Sequence, residues 1–376
     1  MARQQLDILA LEPFHGGVRR TMLEAISRCS RHRWTILKLP ARRMERRLLV
    51  AATWFAEHLS RHRVGRVDAL FASEAMNLAE FFRLRPQLAK KPSVVYFHDN
   101  QMPDPDQDGV LESPTDLVNL SSATAATEIW FNSLYNLRTF LSRASGMVAR
   151  HPELQNANPL PKLTAKAHLV PPPIDLATAH AMALEAPADR RDPRFVLVDA
   201  RRGDHQVLRE TLEAIARRRE RIHLTVIGRL DGLPDSLRPT VLDERDHAAH
   251  ADALTTTSVL LSARTDAAAD DLVVRAMTTG CLPIVPNSGV YPDLLPEAFH
   301  ERCLHDGTAR SLVSLLLDAW YLARPGGYEM HVEEAVAPFD AINACKVIDE
   351  RLEKLAAGTV SVRVATGRSR VAVSMS

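Results

Sequence analysis

The chain has 376 residues, of which 46% are hydrophobic, and its 47 basic residues nearly balance its 46 acidic ones. This length suggests two domains, each with a sizeable core. The charge balance favours no charged partner, so any anion site must be local. No segment approaches 18 uninterrupted apolar residues, and the N-terminus enters a strand without an apolar signal region, so we expect no membrane contact. The four scattered cysteines lack metal-site spacing, which favours a reduced compartment, by default the cytoplasm.

Apolar runs of strand length alternate with helical patterns through the first 170 residues. Such alternation predicts a parallel sheet with right-handed crossovers. The strands are predicted at 6–11, 34–39, 67–72, 94–97, 128–131 and 167–170. Polar side chains follow these strands and should gather at the carboxyl edge of the sheet, where ligands bind. The residues concerned are His15, Glu74, His98, Asp99, Asn132 and Ser133.

The fourth of these strands ends most abruptly. Its β-branched and aromatic run stops at Phe97, and His98, Asp99, Asn100 and Gln101 follow. An ordinary polar turn would explain a lone His-Asp pair, but the neighbouring strand ends are polar in the same way. The pattern therefore favours a binding site.

Three other segments of this half are also candidates for a function. The first two have two interpretations each, and the third has one. Gly16 and Gly17 separate a strand from a helix, which suits either a phosphate loop or a simple tight turn. The arginines within 42–47 suit either phosphate contacts or, slightly favoured, a solvated helix face. Residues 102–114 are rich in proline and aspartate and predict an exposed loop able to act as a lid.

The second half repeats the alternation after three prolines at 171–173, which stiffen the connection. Strands are predicted at 195–198, 222–227, 259–262 and 282–285, with helical patterns between and after them. The predicted organisation is an N-terminal Rossmann-like acceptor domain at 1–172 and a C-terminal Rossmann-like donor domain at 173–338. A helix follows at 339–357, with packing back on the N-terminal domain as one option, and then a flexible tail at 358–376.

Several motifs carry a resemblance to a known family. They are Leu11–Gly17, Leu39–Arg43, Leu70–Ser73, Tyr96–Gln101 and Trp130–Ser133, with thinner matches at Gly280–Pro283 and Val290–Pro296. The chain resembles the GT-B glycosyltransferases of the four-type retaining clan, and within them the tRNA-queuosine mannosyltransferase-like family. The resemblance implies an α/β fold of two Rossmann-like, doubly wound domains that face each other across a cleft.

The resemblance also implies a reaction. A mannose-like sugar would pass from a nucleotide-diphosphate sugar, GDP-mannose-like, to an acceptor hydroxyl, for which queuosine in tRNA is a candidate. Transfer would proceed with retention, without a metal and without a cofactor. The residues predicted for the site are His98 and Asp99 for catalysis; His15, Asn100, Gln101, Asn132 and Ser133 for the acceptor; and Gly16, Gly17, Arg201, Arg202, Asp266, Asp270, Arg275 and Tyr291 for the donor.

The chain departs from the clan in the donor domain. Ala267 and Arg275 stand where the clan has two glutamates, and no lysine follows Arg201 and Arg202. Losing charged groups that stabilise a transition state costs on the order of a few kcal/mol each. Asp266, Asp270 or Asp271 are candidates to replace the carboxylates, and Arg275 to replace the lysine. The alternative is a catalytically degenerate binding module or a partner of an active paralogue. The sequence does not predict an oligomeric state.

Overall fold

The structure is a computed structural model, and it describes residues 5–62, 64–100, 102, 116–185, 194–322 and 332–358. The chain divides into two compact units, each built on its own sheet. The first unit contains the described residues of Met1–Asn132, Asn136–Val170 and Lys346–Ser376. The second contains those of Ser133–Tyr135 and Pro171–Cys345.

The sheet of the first unit has six parallel strands in the order β2-β1-β3-β4-β5-β6. Its central strands are apolar runs buried on both faces, as expected of a parallel sheet covered by helices. The strands are β1 (Asp7–His15), β2 (Arg33–Pro40), β3 (Ala69–Ser73), β4 (Ser93–Phe97), β5 (Glu128–Phe131) and β6 (Ala167–Leu169).

Helices cover both faces of this sheet. Phe55, Phe81 and Phe140, from three different helices, are fully buried in one core with strand residues such as Leu70 and Val95. The helices are α1 (Gly17–Cys29), α2 (Met44–Arg61), α3 (Leu78–Leu84), α4 (Pro86–Ala89), α5 (Asp116–Ala125), α6 (Leu134–Arg150), α7 (Pro152–Ala157) and α8 (Leu160–Ala165).

The second unit has a parallel six-stranded sheet in the order β12-β11-β10-β7-β8-β9, the strand order of a Rossmann fold. The strands are β7 (Phe195–Ala200), β8 (His223–Gly228), β9 (Thr240–Leu242), β10 (Val259–Ser262), β11 (Leu282–Pro286) and β12 (Leu304–His305). The helices are α9 (Leu176–Glu185), α10 (His205–Arg217), α11 (His247–Thr256), α12 (Asp271–Thr278), α13 (Tyr291–Leu294), α14 (His300–Cys303), α15 (Ala309–Leu322) and α16 (Glu333–Val336). Two short 3₁₀ turns lie at Glu297–Phe299 and Ala337–Phe339.

The last helix, α17 (Ala341–Ala356), contributes its residues from Lys346 onward to the first unit. The buried carboxylate of Asp349 accepts a 2.5 Å hydrogen bond from the Ser30 hydroxyl and a 2.9 Å bond from the Arg31 amide. Arg351 donates to Glu128, which begins β5. Polar contacts therefore fix this helix to the first unit, at the amino end of β5.

The ten strands predicted from the sequence are confirmed, with ends that move by up to four residues. Two short edge strands, β9 and β12, went unpredicted because two or three residues carry no period. Residues 143–164 show no clear sequence period, yet they contain the end of α6 and the short helices α7 and α8. Most of the predicted lid at 102–114 and the tail from 359 lie outside the described residues.

All four cysteines are free thiols. Among the described helices, we find none that combines the length and the apolar content of a membrane span.

Candidate functional site

Each sheet has one point where successive connections leave in opposite directions. In the first unit this switch point lies between β1 and β3, and in the second between β7 and β10. Ligands of open α/β sheets bind in the crevice at the carboxyl ends of strands at such a point. The fold therefore marks one candidate site in each unit.

At the switch point of the first unit lies a buried group of charged side chains. Glu12 in β1 accepts a 2.7 Å hydrogen bond from the Phe14 amide and a 3.2 Å bond from the Ser73 hydroxyl. Glu74, which follows β3, is fully buried and forms an ion pair with Arg19 of α1. Within the described residues, Arg19 Nε and Glu74 Oε2 have no hydrogen-bond partner.

Two buried carboxyl groups share this single guanidinium. Burial raises the pKa of Glu12 to about 7, with a smaller upward contribution from Glu74, while Arg19 opposes the shift. Burial also raises the pKa of Glu74 against the opposing charge of Arg19. For Arg19, burial lowers the pKa less than the two glutamates raise it, so the guanidinium stays charged. Glu12 is thus able to exchange a proton near neutral pH.

His98 follows β4, the next strand of the sheet. Its side chain is only 6% exposed and lies against the Tyr96 ring, with the centroids 4.7 Å apart. Burial, and then the charge of Arg19, lowers the pKa of His98 well below its usual value. The ring is therefore a buried, neutral group able to accept a proton.

The polar residues around His98 hold the ends of β4 and β5 together. Asn132 donates to the His98 carbonyl oxygen at 2.8 Å, and Asn136 donates to Asn132 Oδ1 at 2.9 Å. Asn100 is buried and accepts from Arg143 at 2.9 Å. Asp99 is exposed, and its carboxylate accepts from the Asn100 amide. Gln101 lies outside the described residues.

The glycine pair lies where β1 meets α1. Gly17 has a φ of +52°, in the region that favours glycine, and a Cβ added to Gly16 would lie 2.5 Å from Ala41 Cβ. The turn therefore needs both glycines for steric reasons, whatever it binds. His15 precedes them, half-buried, and burial followed by the charge of Lys38 lowers its pKa.

In the second unit, Arg201 follows β7 and grips Asp199 with two hydrogen bonds, from Nε at 2.8 Å and from Nη2 at 2.7 Å. Burial lowers the pKa of Arg201, but Asp199 raises it by more, and Asp270 adds to that. Arg202 is exposed and makes no hydrogen bond or ion pair with any residue that the structure describes. Arg202 is thus the freer of the two predicted arginines.

The loop after β10 places Asp270 at the start of α12. Its Oδ1 accepts from the Leu272 and Val273 amides at 3.1 and 3.3 Å, and its Oδ2 accepts from the Tyr291 hydroxyl at 2.8 Å. Burial, and then the charge of Asp199, raises the pKa of Asp270 to about 6. Asp270 therefore caps a helix and joins two loops, which limits its freedom to bind a sugar.

The other predicted donor residues of this loop have different surroundings. Asp266 is exposed and pairs with Arg264 at 3.0 Å. Arg275 of α12 donates to the Asp175 carbonyl oxygen at 3.0 Å. Ala267 is fully buried, and its carbonyl oxygen accepts from the Val290 amide at 2.9 Å.

Ser133, predicted as an acceptor residue, belongs to the second unit, where its hydroxyl donates to the Ala268 carbonyl oxygen at 2.5 Å. Sequence reasoning missed Glu12, Arg19 and the role of Asp199. Asp199 is the last residue but one of the buried strand β7. The search for polar residues at strand ends, which was applied to the first half, would have found it. No sequence signal singled out Arg19, because it is one arginine among many on a helix.

The complete fold is shared with solved glycosyltransferases. A glycosyltransferase from Rickettsia africae matches with a TM-score of 0.63 and 12% identity, covering 94% of this chain and 99% of that one. Anabaena HepE in complex with UDP matches with a TM-score of 0.60 and 13% identity, covering 93% and 100%. Starch synthase IV from Arabidopsis thaliana, bound to ADP and acarbose, matches with a TM-score of 0.61 and 10% identity, covering 95% and 100%.

Together with the two Rossmann-like units, these matches define the class: the chain has the GT-B fold, which it shares with solved glycosyltransferases. Residues 7–174 match the family model described as tRNA-queuosine alpha-mannosyltransferase N-terminal. The tRNA-queuosine alpha-mannosyltransferase of Drosophila melanogaster is 25% identical over 312 residues, covering 77% of this chain and 82% of that protein. The resemblance to this family predicted from the sequence is confirmed.

Proposed function

We propose that the protein transfers a mannose-like sugar from a nucleotide-diphosphate sugar to a hydroxyl of queuosine in tRNA, with retention and without a metal. The observation that carries the proposal is the similarity to the Drosophila enzyme over 77% of the chain, which includes both units. The name of that relative supplies the sugar and the acceptor. Retention and metal independence come from the resemblance to the retaining clan.

On the acceptor side, His98 interacts with the reacting hydroxyl. A neutral imidazole accepts a hydrogen bond or a proton from a hydroxyl, and the lowered pKa keeps His98 neutral at physiological pH. Glu12, with its pKa near 7, lies at the same switch point as a second group able to exchange a proton. Asp99 is the exposed carboxylate beside them.

On the donor side, Arg202 binds the diphosphate, because two of the N–H donors of Arg201 already form hydrogen bonds with Asp199. A guanidinium matches the geometry of a phosphate with two parallel donors. Among the loop aspartates, Asp266 has an exposed carboxylate, whereas both oxygens of Asp270 accept hydrogen bonds within the protein. Asp266 is therefore the better candidate for a sugar hydroxyl.

The test incubates the protein with GDP-mannose and with tRNA that carries queuosine, then measures the modified nucleoside by mass spectrometry. The same tRNA without queuosine is the acceptor control, and UDP-glucose is the donor control. We expect a mannosylated nucleoside only with GDP-mannose and queuosine. EDTA should leave the rate unchanged, and the new bond should keep the donor's anomeric configuration. No product with any nucleotide sugar would refute the proposal.

A second candidate function is favoured by one specific observation. Ala267 and Arg275 occupy the clan's glutamate positions, and Arg275 donates to a backbone carbonyl. A catalytically degenerate binding module would fit these losses. Donor hydrolysis separates the two functions: slow release of GDP that His98→Ala abolishes, and that the exposed control His62→Ala preserves, would exclude the degenerate module.

A further inference from the structure

Three arginines between β2 and the first turn of α2 have no role in the chemistry above. The side chains of Arg42, Arg43 and Arg46 are exposed. They make no hydrogen bond or ion pair with any residue that the structure describes. Arg47 differs, because its Nη2 donates to the Pro40 carbonyl oxygen at 3.2 Å and so braces the turn. Three unpaired guanidinium groups therefore stand in solvent within five residues of chain.

These arginines lie at the carboxyl edge of the first sheet, beside the candidate acceptor site. Pro40, at the end of β2, is the register partner of His15 at the end of β1. Ala41 packs closely on Gly16: a Cβ added to Gly16 would lie 2.5 Å from the Cβ of Ala41. The arginine segment is thus held against the His15–Gly17 turn by the sheet and by direct packing.

The backbone fixes the segment further. Arg43 has a φ of +51°, a left-handed conformation that costs a non-glycine residue on the order of 1 kcal/mol. Its carbonyl oxygen accepts hydrogen bonds from the Arg46 and Arg47 amides at 3.0 and 3.2 Å, which are the first hydrogen bonds of α2. The three side chains consequently leave an ordered turn rather than a loose loop.

The charge around this turn is positive although the chain as a whole is nearly neutral. Lys38, near the end of β2, is exposed. Its positive charge and that of Arg20 help to lower the pKa of His15. Glu24 pairs with Arg20, and Glu45 lies in the first turn of α2. The local excess of cations favours a polyanionic partner.

We propose that Arg42, Arg43 and Arg46 bind the phosphate backbone of an RNA acceptor and so orient it at the carboxyl edge of the first unit. The inference rests on the proposed function, which requires a nucleic acid to reach this edge. Exposed guanidinium groups match the geometry of phosphate oxygens, and phosphate contacts set orientation and carry no sequence information. A donor diphosphate would be a single compact anion and would not need three separate cations spread over a turn and a helix.

The test measures RNA binding at a series of salt concentrations. Binding of a labelled, unmodified tRNA transcript is detected by fluorescence anisotropy. The variant is Arg42→Ala/Arg43→Ala/Arg46→Ala. The matched control is Arg218→Ala/Arg219→Ala/Arg221→Ala, which removes three exposed arginines after α10, including one with a left-handed φ of 58°. We expect at least tenfold weaker binding at low salt and a slope of log K against log salt that is shallower by about 2. The control should stay within twofold of the wild type.

A second variant separates charge from folding. Arg42→Lys/Arg43→Lys/Arg46→Lys keeps three cations, so the salt slope should return to the wild-type value. Equal slopes for the alanine variant and its control would overturn the inference, as would an RNA affinity of the wild type that is independent of salt. Weaker binding of GDP-mannose in calorimetry, with RNA binding unchanged, would assign the arginines to the donor instead.

These readouts do not depend on turnover. If the wild type mannosylates tRNA while the alanine variant keeps the full salt slope, the proposed function stands and the inference fails. If RNA binds through the arginines but no sugar is transferred, the inference stands and the proposed function fails.

Discussion

The hydroxyl of Tyr291 donates a 2.8 Å hydrogen bond to Asp270 Oδ2, while Oδ1 of the same carboxylate caps helix α12. Both side chains are buried. One aspartate therefore holds the loop after β10, the start of α12 and the start of α13 in a fixed arrangement at the switch point of the second unit.

Removing the Tyr291 hydroxyl should destabilise the second unit. Tyr291→Phe leaves Oδ2 of a buried carboxylate without its donor, which costs about 1–3 kcal/mol. We expect a lower urea midpoint with an unchanged denaturant slope. Tyr321→Phe, at a position where the side chain is 83% exposed, is the control and should match the wild type. An unchanged midpoint in Tyr291→Phe would show that the contact contributes nothing to stability.

Asp270 should make stability depend on pH in the acid range. Its pKa is raised from 3.8 to about 6, so the folded protein binds a proton that the unfolded chain has already released. Stability from this group is present below about pH 4 and falls as the pH rises toward 6, by roughly 2–3 kcal/mol in total. Urea unfolding of Asp270→Asn between pH 4 and 7 should lack this decline. A decline identical to the wild type would place its origin in another group.

The Asp199–Arg201 pair should behave as a buried ion pair. Arg201→Met leaves the Asp199 carboxylate buried and unpaired, with an expected loss of about 3–5 kcal/mol. The double variant Asp199→Leu/Arg201→Met removes both charges and should recover most of that loss. A double-mutant cycle by urea unfolding measures the coupling. Additive effects of the two changes would contradict direct pairing.

His98 should stay neutral through the physiological range. Its lowered pKa means that, below the unfolded value of 6.5, the unfolded chain gains a proton that the folded protein does not. Stability from this group is therefore present above pH 6.5 and is lost as the pH falls below it. NMR titration of the ring protons from pH 5 to 8 should show no inflection near 6.5 for His98. An inflection there, absent in His98→Gln, would show an accessible, titrating imidazole.

The sequence by itself determined the two sheets, because buried parallel strands are short apolar runs that alternate with helical patterns. It also located His98 and Asn132 at strand ends, since polar residues that stop an apolar run are visible without coordinates, whereas Arg201 was indicated by the resemblance to the clan. The contrast between Ala267 and the clan's glutamates was likewise a matter of sequence alone.

Only the tertiary structure decided what each of these side chains touches. Glu12, Arg19 and Glu74 come from three separate segments, and their pairing depends on β1 and β3 being neighbours in the sheet. The burial of His98 and the use of Asp270 as a helix cap follow from packing between elements that no local pattern encodes. The proton affinities at both switch points are set by burial and by neighbouring charges, which exist only once the chain has folded.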